Sequence, residues 1–215
     1  MMKIRGFTLI ELMVVTASIA ALVAVSMPLS AMLKRKAAVA TASSTLKSLV
    51  IANWNYAADN NGWFCPAQSR SNNLRWHGKR GSSEQPFDPT EGYLSPYLGE
   101  SKRVLICPVF KEILKDGRSF EDGSGGFGYN AAYIGGSPRD PFAAIKTTQL
   151  TNATQCVMFA STALAKAEGV QEYPFVEPQS WVDPNGRAGG SLQPSIHFRY
   201  SGKALIGWAD GHVTM

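Results

Sequence analysis

The chain has few of the residue types that build catalytic and metal centres. Its 215 residues include three cysteines and three histidines, and none of these falls at the paired ligand spacing of a zinc site. No Gly-x-Ser-x-Gly elbow is present to present a nucleophile. His197, Ser201 and Asp210 supply the residue types of a triad, but nothing in their spacing fixes a shared geometry, so we expect no catalysis. Charged side chains are only 17% of the chain, and the formal net charge of +5 is too mild to imply a nucleic-acid partner. No internal repeat or low-complexity tract occurs. What remains is enough chain for one long helix and one modest domain with its own core.

The N-terminus holds the strongest signal. A short basic leader, Met1–Gly6 with Lys3 and Arg5, is followed by an apolar run from Phe7 to Leu33 in which Glu11 is the only charge. As a helix this run spans about 40 Å, enough to cross a hydrocarbon core with tilt. A carboxylate in such a span costs about 2.5–3.5 kcal/mol on insertion scales, so something should compensate it. One alternative is an ordinary signal peptide cleaved at Ala24-Val25-Ser26. Another is dipole compensation in the first helical turn, worth about 0.3–1 kcal/mol. Basic residues on both sides, Lys3 and Arg5 before the run and Lys34-Arg35-Lys36 after it, leave the charge rule for orientation undecided.

The segment Gly6-Phe7-Thr8-Leu9-Ile10-Glu11-Leu12 resembles the N-terminus of type IV prepilins and of the pseudopilins of type II secretion. That resemblance implies cleavage between Gly6 and Phe7 by a prepilin peptidase that also N-methylates Phe7. It further implies that Glu11 pairs with the N-terminal amine of a neighbouring subunit during filament assembly. The implied partners are the peptidase/N-methyltransferase, copies of this chain, other pilin-like subunits and an inner-membrane assembly platform. The implied location is a single pass through a bacterial inner membrane, with the head on the periplasmic or extracellular side. Loss of the leader leaves nineteen basic against sixteen acidic side chains, a net +3.

The expected fold class is α+β: a long N-terminal helix packed on a small antiparallel sheet. The segments are a leader (1–6), an anchoring and assembly half of the helix (7–33), an amphipathic half (34–61) and a loop-rich head (62–215). Val39, Ala42, Leu46, Leu49, Val50 and Ala57 recur at three- and four-residue steps opposite Thr41, Ser44, Lys47 and Asn55, which predicts that the second half packs on the head. Pro28 should kink or melt the helix locally. Asn60-Asn61-Gly62 supplies a left-handed stop. Strands are expected at Val104–Cys107, Cys156–Ala160 and Ala204–Ala209. Asp210-Gly211 is expected to form a two-residue type I′ turn into a return strand, His212–Met215.

The tail from His197 to Val213, with Asp210-Gly211-His212, is similar to the C-terminal signature of prepilin-type proteins named for a histidine, nine residues, then Asp-Gly. Cys107-Pro108 and Gly128-Tyr129-Asn130 have counterparts in the same group. Here twelve residues separate His197 from Asp210, so either an intervening turn is longer or His197 is not the equivalent histidine.

The other candidates carry less. Gly123–Gly128 matches G-x-G-x-x-G but lacks a preceding strand and a following helix, and is read as a flexible loop. Asp116, Glu121 and Asp122 place carboxylates in that loop. Major pseudopilins of the resembled class use calcium to order a loop, yet no EF-hand pattern is present, so solvated acids are expected and no cofactor is assigned. A Cys65–Cys107 bridge would close a loop of about 42 residues and stabilise by roughly 4 kcal/mol; three unpaired thiols are the alternative, with Cys156 a buried small hydrophobe. Arg70, Arg75, Trp76, His77, Lys79 and Arg80 interleave charge with an indole as a nucleic-acid surface would, and Trp63, Trp76 and Trp181 could serve a glycan. We read the basic stretch as a solvated loop. The alternative to a filament subunit is a membrane-anchored binding module for glycan or DNA that uses the prepilin route without polymerising.

Overall fold

The computed structural model describes residues 8–114, 121–137, 140, 142–166, 169–178, 181–182, 188–189 and 195–215, with backbone alone at 31, 181, 182, 188 and 189. The chain divides into two compact units, Met1–Ala38 and Val39–Met215. One helix, α1 (Leu9–Asp59), begins in the first unit and continues into the second. It runs unbroken through Pro28, so the expected local melting does not occur. Nearby hydroxyls bond back onto the helix: Ser26 Oγ donates to the Val23 carbonyl and Ser30 Oγ to the Ser26 carbonyl.

In the first unit, the large apolar side chains from Leu9 to Leu33 are exposed. This is the one helix among the described residues that is long and apolar enough to cross a membrane. In the second unit, α1 is the centre of the core. Ala42, Leu46, Leu49, Val50 and Ala57 of the expected stripe are buried and Val39 is half-buried, and Ala52 is buried beside them. Each of the larger ones stabilises by about 1.5–3 kcal/mol on burial. The helix ends as the sequence signals: Asn61 and Gly62 both take positive φ (53° and 81°). The Gly62 N–H then donates back to the Ala57 carbonyl at 2.9 Å.

The other elements are β1 (Leu74–Arg75), β2 (Gly78–Lys79), α2 (Pro108–Ile113), β3 (Phe127–Asn130), β4 (Val157–Ser161), β5 (Leu164–Lys166), β6 (Gly169–Gln171), β7 (Phe175–Val176), β8 (Trp181–Val182), β9 (Ala188–Gly189), β10 (Ile206–Trp208) and β11 (Val213–Thr214). The main sheet has the order β11-β10-β4-β3-β7. It is not wholly antiparallel as expected, because β3 and β7 pair in parallel, Tyr129 opposite Phe175. Three two-stranded ribbons, β1-β2, β5-β6 and β8-β9, complete the strands. The central strands β3 and β4 are buried almost throughout, and Tyr129 stacks on Phe159 with ring centroids 4.8 Å apart.

The strand expected at Val104–Cys107 is absent. Cys107 is instead the N-cap of α2, and Pro108 occupies the first helical position, where its missing N–H costs nothing. Gly207 in β10 lies against α1: a Cβ there would stand 3.3 Å from Val50 Cγ2. The Trp54 indole N–H donates to the Ala209 carbonyl at 2.7 Å. Helix and sheet therefore share one interior.

Candidate functional site

Gly6 and Phe7, the expected cleavage and methylation residues, lie outside the described residues. The first described residue, Thr8, is the N-cap of α1. Its backbone N–H donates to Glu11 Oε2 at 2.8 Å, its hydroxyl donates to the same oxygen at 2.8 Å, and the Glu11 N–H donates to Thr8 Oγ1 at 3.3 Å. This reciprocal arrangement is a capping box, which satisfies donors the helix end otherwise leaves open. Glu11 therefore has a local role that the sequence reading had seen only as dipole compensation.

At the other end, Ala209-Asp210-Gly211 forms the turn between β10 and β11, followed by His212, with Gly207 opposite Val213. The turn is not type I′. Only Gly211 has positive φ (96°), while Asp210 does not. The Gly211 N–H donates to the Trp208 carbonyl and the Trp208 N–H to the His212 carbonyl, which makes a three-residue loop with a glycine bulge. Asp210 Oδ1 accepts from the His212 backbone N–H at 3.1 Å and pairs with the His212 ring. These bonds, the backbone one first, hold its carboxyl below the usual range. The His212 ring stacks on Trp208 at 5.4 Å.

The type I′ geometry lies nearby. Tyr200 and Lys203 exchange N–H to carbonyl bonds across Ser201 and Gly202, both at positive φ (53° and 80°). That turn lies within the twelve residues separating His197 from Asp210. His197 itself is tied by its backbone to Ser161, and Asp210 is engaged with His212.

The basic stretch is interior, which corrects its reading as a solvated loop or a binding surface. Arg75, Trp76, His77 and Arg80 are buried. Arg75 pairs with Glu121, and its guanidinium lies 4.6 Å from the Phe87 ring centroid and 5.1 Å from that of Phe175. Arg80 covers the same Phe87 ring at 4.4 Å. Neither ring nitrogen of His77 has a partner among the described residues, and burial, then Arg75, push its pKa down to about 3. Trp76 donates its indole N–H to the Pro174 carbonyl. Only Arg70 and Lys79 are exposed, and they pair with Asp140 and Glu91.

The glycine-rich loop is ordered. The N–H groups of Gly123 and Gly125 and the Ser124 hydroxyl all donate to Glu172 Oε2, at 3.0, 2.9 and 2.8 Å. The motif thus cradles an anion as its type suggests, but the anion is the chain's own buried carboxylate. Burial raises the Glu172 pKa against the lowering effect of these bonds. Sequence reading missed Glu172, and nothing near it signals the role. It also missed Arg199, whose Nη2 donates to the Gly126 and Thr162 carbonyls over the Phe110 ring.

Of the calcium candidates, Asp116 lies outside the described residues and Glu121 is turned to Arg75. No group of three His, Cys, Asp or Glu side chains is placed to hold a metal among the described residues. The Cys65–Cys107 bridge is absent: all three thiols are free. The Cys65 thiol donates to the Pro66 carbonyl at 3.1 Å, whereas Cys107 Sγ lies 3.1 Å from the Tyr200 hydroxyl, so the two thiols serve different contacts. Of the proposed glycan tryptophans, Trp76 is buried, Trp63 is part-exposed with Lys146 over its ring, and the side chain of Trp181 lies outside the described residues. Comparison with protein-family models, with curated proteins and with solved structures finds no match for this chain.

Proposed function

We propose that this chain is a structural subunit of a type IV pilus-like or type II secretion pseudopilus filament, processed after Gly6, methylated at Phe7 and assembled through its N-terminal helix. The observation that carries the reading is an exposed apolar half-helix whose first turn holds a single carboxylate and whose backbone continues into the core of the head. A lone carboxylate among packed apolar helices needs a partner of opposite sign, since leaving it unpaired costs several kcal/mol. The amine of an adjacent processed subunit is that partner. It favours one register, because a subunit docked a turn away loses the pair.

The capping box makes the test sharper. Glutamine serves a capping box as glutamate does, so Glu11→Gln retains the cap and removes only the charge, while Glu11→Ala removes both. Each variant should be processed to Phe7, checked by mass spectrometry of the mature N-terminus, and then scored for filaments by shearing and sedimentation. Both should accumulate as cleaved, membrane-retained monomer. Normal filaments from Glu11→Gln alongside loss in Glu11→Ala would reduce Glu11 to a helix cap, and normal filaments from both would overturn the assembly reading.

A further inference from the structure

A cleft of about 710 Å³ opens between the turn that follows β3 and the segment that leads into β4. Among the described residues, no charged one lines it. Its wall carries Tyr133, 50% exposed, and its rim carries the amides of Gln149, Asn152 and Gln155. Half-buried Cys156 also lines it.

The backbone of the turn that carries Tyr133 is held in place by Asn130. Asn130 donates its Nδ2 to the Val157 carbonyl at 2.7 Å and accepts the Tyr133 N–H at its Oδ1 at 3.0 Å. The Gly135 N–H closes onto the Asn130 carbonyl at 2.8 Å. One asparagine thus ties the central sheet to the turn that presents the ring. The amides are oriented too: Gln149 Oε1 accepts the Lys146 N–H at 2.7 Å, and Gln155 Oε1 accepts from Asn152 Nδ2 at 2.9 Å. With both carbonyl oxygens engaged, the Nε2 groups of Gln149 and Gln155 are left as donors without a partner among the described residues, as is the Tyr133 hydroxyl.

We propose that this cleft binds a neutral oligosaccharide. A half-exposed aromatic ring offers its face to the C–H side of a sugar, and oriented amide donors match hydroxyl and ring oxygens. The described lining offers a phosphate or carboxylate no charge to pair with, and burying such a group unpaired is costly. The proposal does not depend on whether the chain polymerises.

Cys156 provides the readout, because Cys65 and Cys107 are buried. The full-length chain in a non-glycosidic detergent is treated with iodoacetamide, and alkylation of Cys156 is followed by mass spectrometry. Chitotriose, maltotriose and cellotriose are added in turn, with a heparin-derived oligosaccharide as the anionic control. At least one neutral trisaccharide should slow alkylation, and Tyr133→Ala should raise the half-protecting concentration about tenfold, the loss of one stacking contact. Gln155→Glu, which removes a donor and adds a negative charge at the rim, should abolish protection. Circular dichroism should show both variants folded. Failure of every neutral trisaccharide to protect at millimolar concentration, equal protection by the anionic control, or unchanged protection in Tyr133→Ala would overturn the proposal.

Discussion

Acidification should unfold this protein largely through one residue, His77. Its ring is fully buried and unpartnered on both nitrogens among the described residues, with two arginines, Arg75 and Arg80, disfavouring a third positive charge. The folded pKa lies at about 3, against 6.5 for the free side chain. Between those values the unfolded chain binds a proton that the folded one refuses, so stability is fully present above pH 6.5 and falls as pH drops towards 3. At about 1.4 kcal/mol per pH unit the loss reaches roughly 5 kcal/mol, comparable to the whole stability of a typical domain. His77→Met, close in volume and without a titrating group, should match wild type at pH 7 to within about 1.5 kcal/mol. The two should diverge below pH 6, with the variant the more stable by several kcal/mol near pH 3. Urea unfolding of the full chain in detergent at pH 7, 5 and 3.5 measures this, and the difference between the two proteins cancels titrations elsewhere. Parallel curves for wild type and variant would refute the reasoning.

Three further outcomes follow from the geometry. Gly211→Val puts a β-branched side chain at φ 96° in otherwise open space, so its cost is backbone strain alone, about 1–3 kcal/mol, read as an earlier thermal transition; an unchanged melting temperature would contradict the bulged turn. Non-reducing peptide mapping of the native protein should find no disulfide, with Cys156 alkylated first and the buried Cys65 and Cys107 only after unfolding; a Cys65–Cys107 peptide would overturn the separate contacts described above. Glu172, with its folded pKa raised by burial, contributes the opposite slope to His77, destabilising as pH rises from about 4.5 towards its folded value; Glu172→Gln should therefore be most destabilised relative to wild type at acid pH and least so at neutral pH, in the same urea assay.

Where sequence reading succeeded, the signal was periodic or local. The stripe from Ala42 to Ala57 recurs at helical spacing, and Asn61-Gly62 stops the helix through its own backbone preferences. The runs around Met158 and Gly207 are apolar and short, so they read as strands. The failures involve partners far away along the chain. Arg75 and Arg80 read as surface residues because charged side chains seldom sit inside. Their compensation comes from Glu121, Phe87 and Phe175, which no local pattern connects to them. Val104–Cys107 has the composition of a strand, but Pro108 starts a helix and no neighbouring strand pairs with the run. At the site level, the glycine loop reads as flexible because no strand precedes it and no helix follows, and only the fold could reveal that the distant Glu172 carboxylate holds it. The Asp210 turn failed differently: Asp210-Gly211 also suits a three-residue loop in which only the glycine takes positive φ, and the two-residue type I′ turn falls at Ser201-Gly202.

The contact between Trp54 and Ala209 joins residues 155 positions apart, and this sets the order in which the molecule can be made. The helix that forms the centre of the head is synthesised early, yet the strand that covers Leu46 and Val50 is made only once the chain has reached Gly207. At 5–20 residues per second that interval is about 8–30 s. Until then the stripe lacks β10, the strand that lies on Leu46 and Val50, and that part of it is open to chaperones and proteases. A chain interrupted before residue 206 lacks β10 and cannot close its interior, so a break in synthesis exposes itself as an unfolded head.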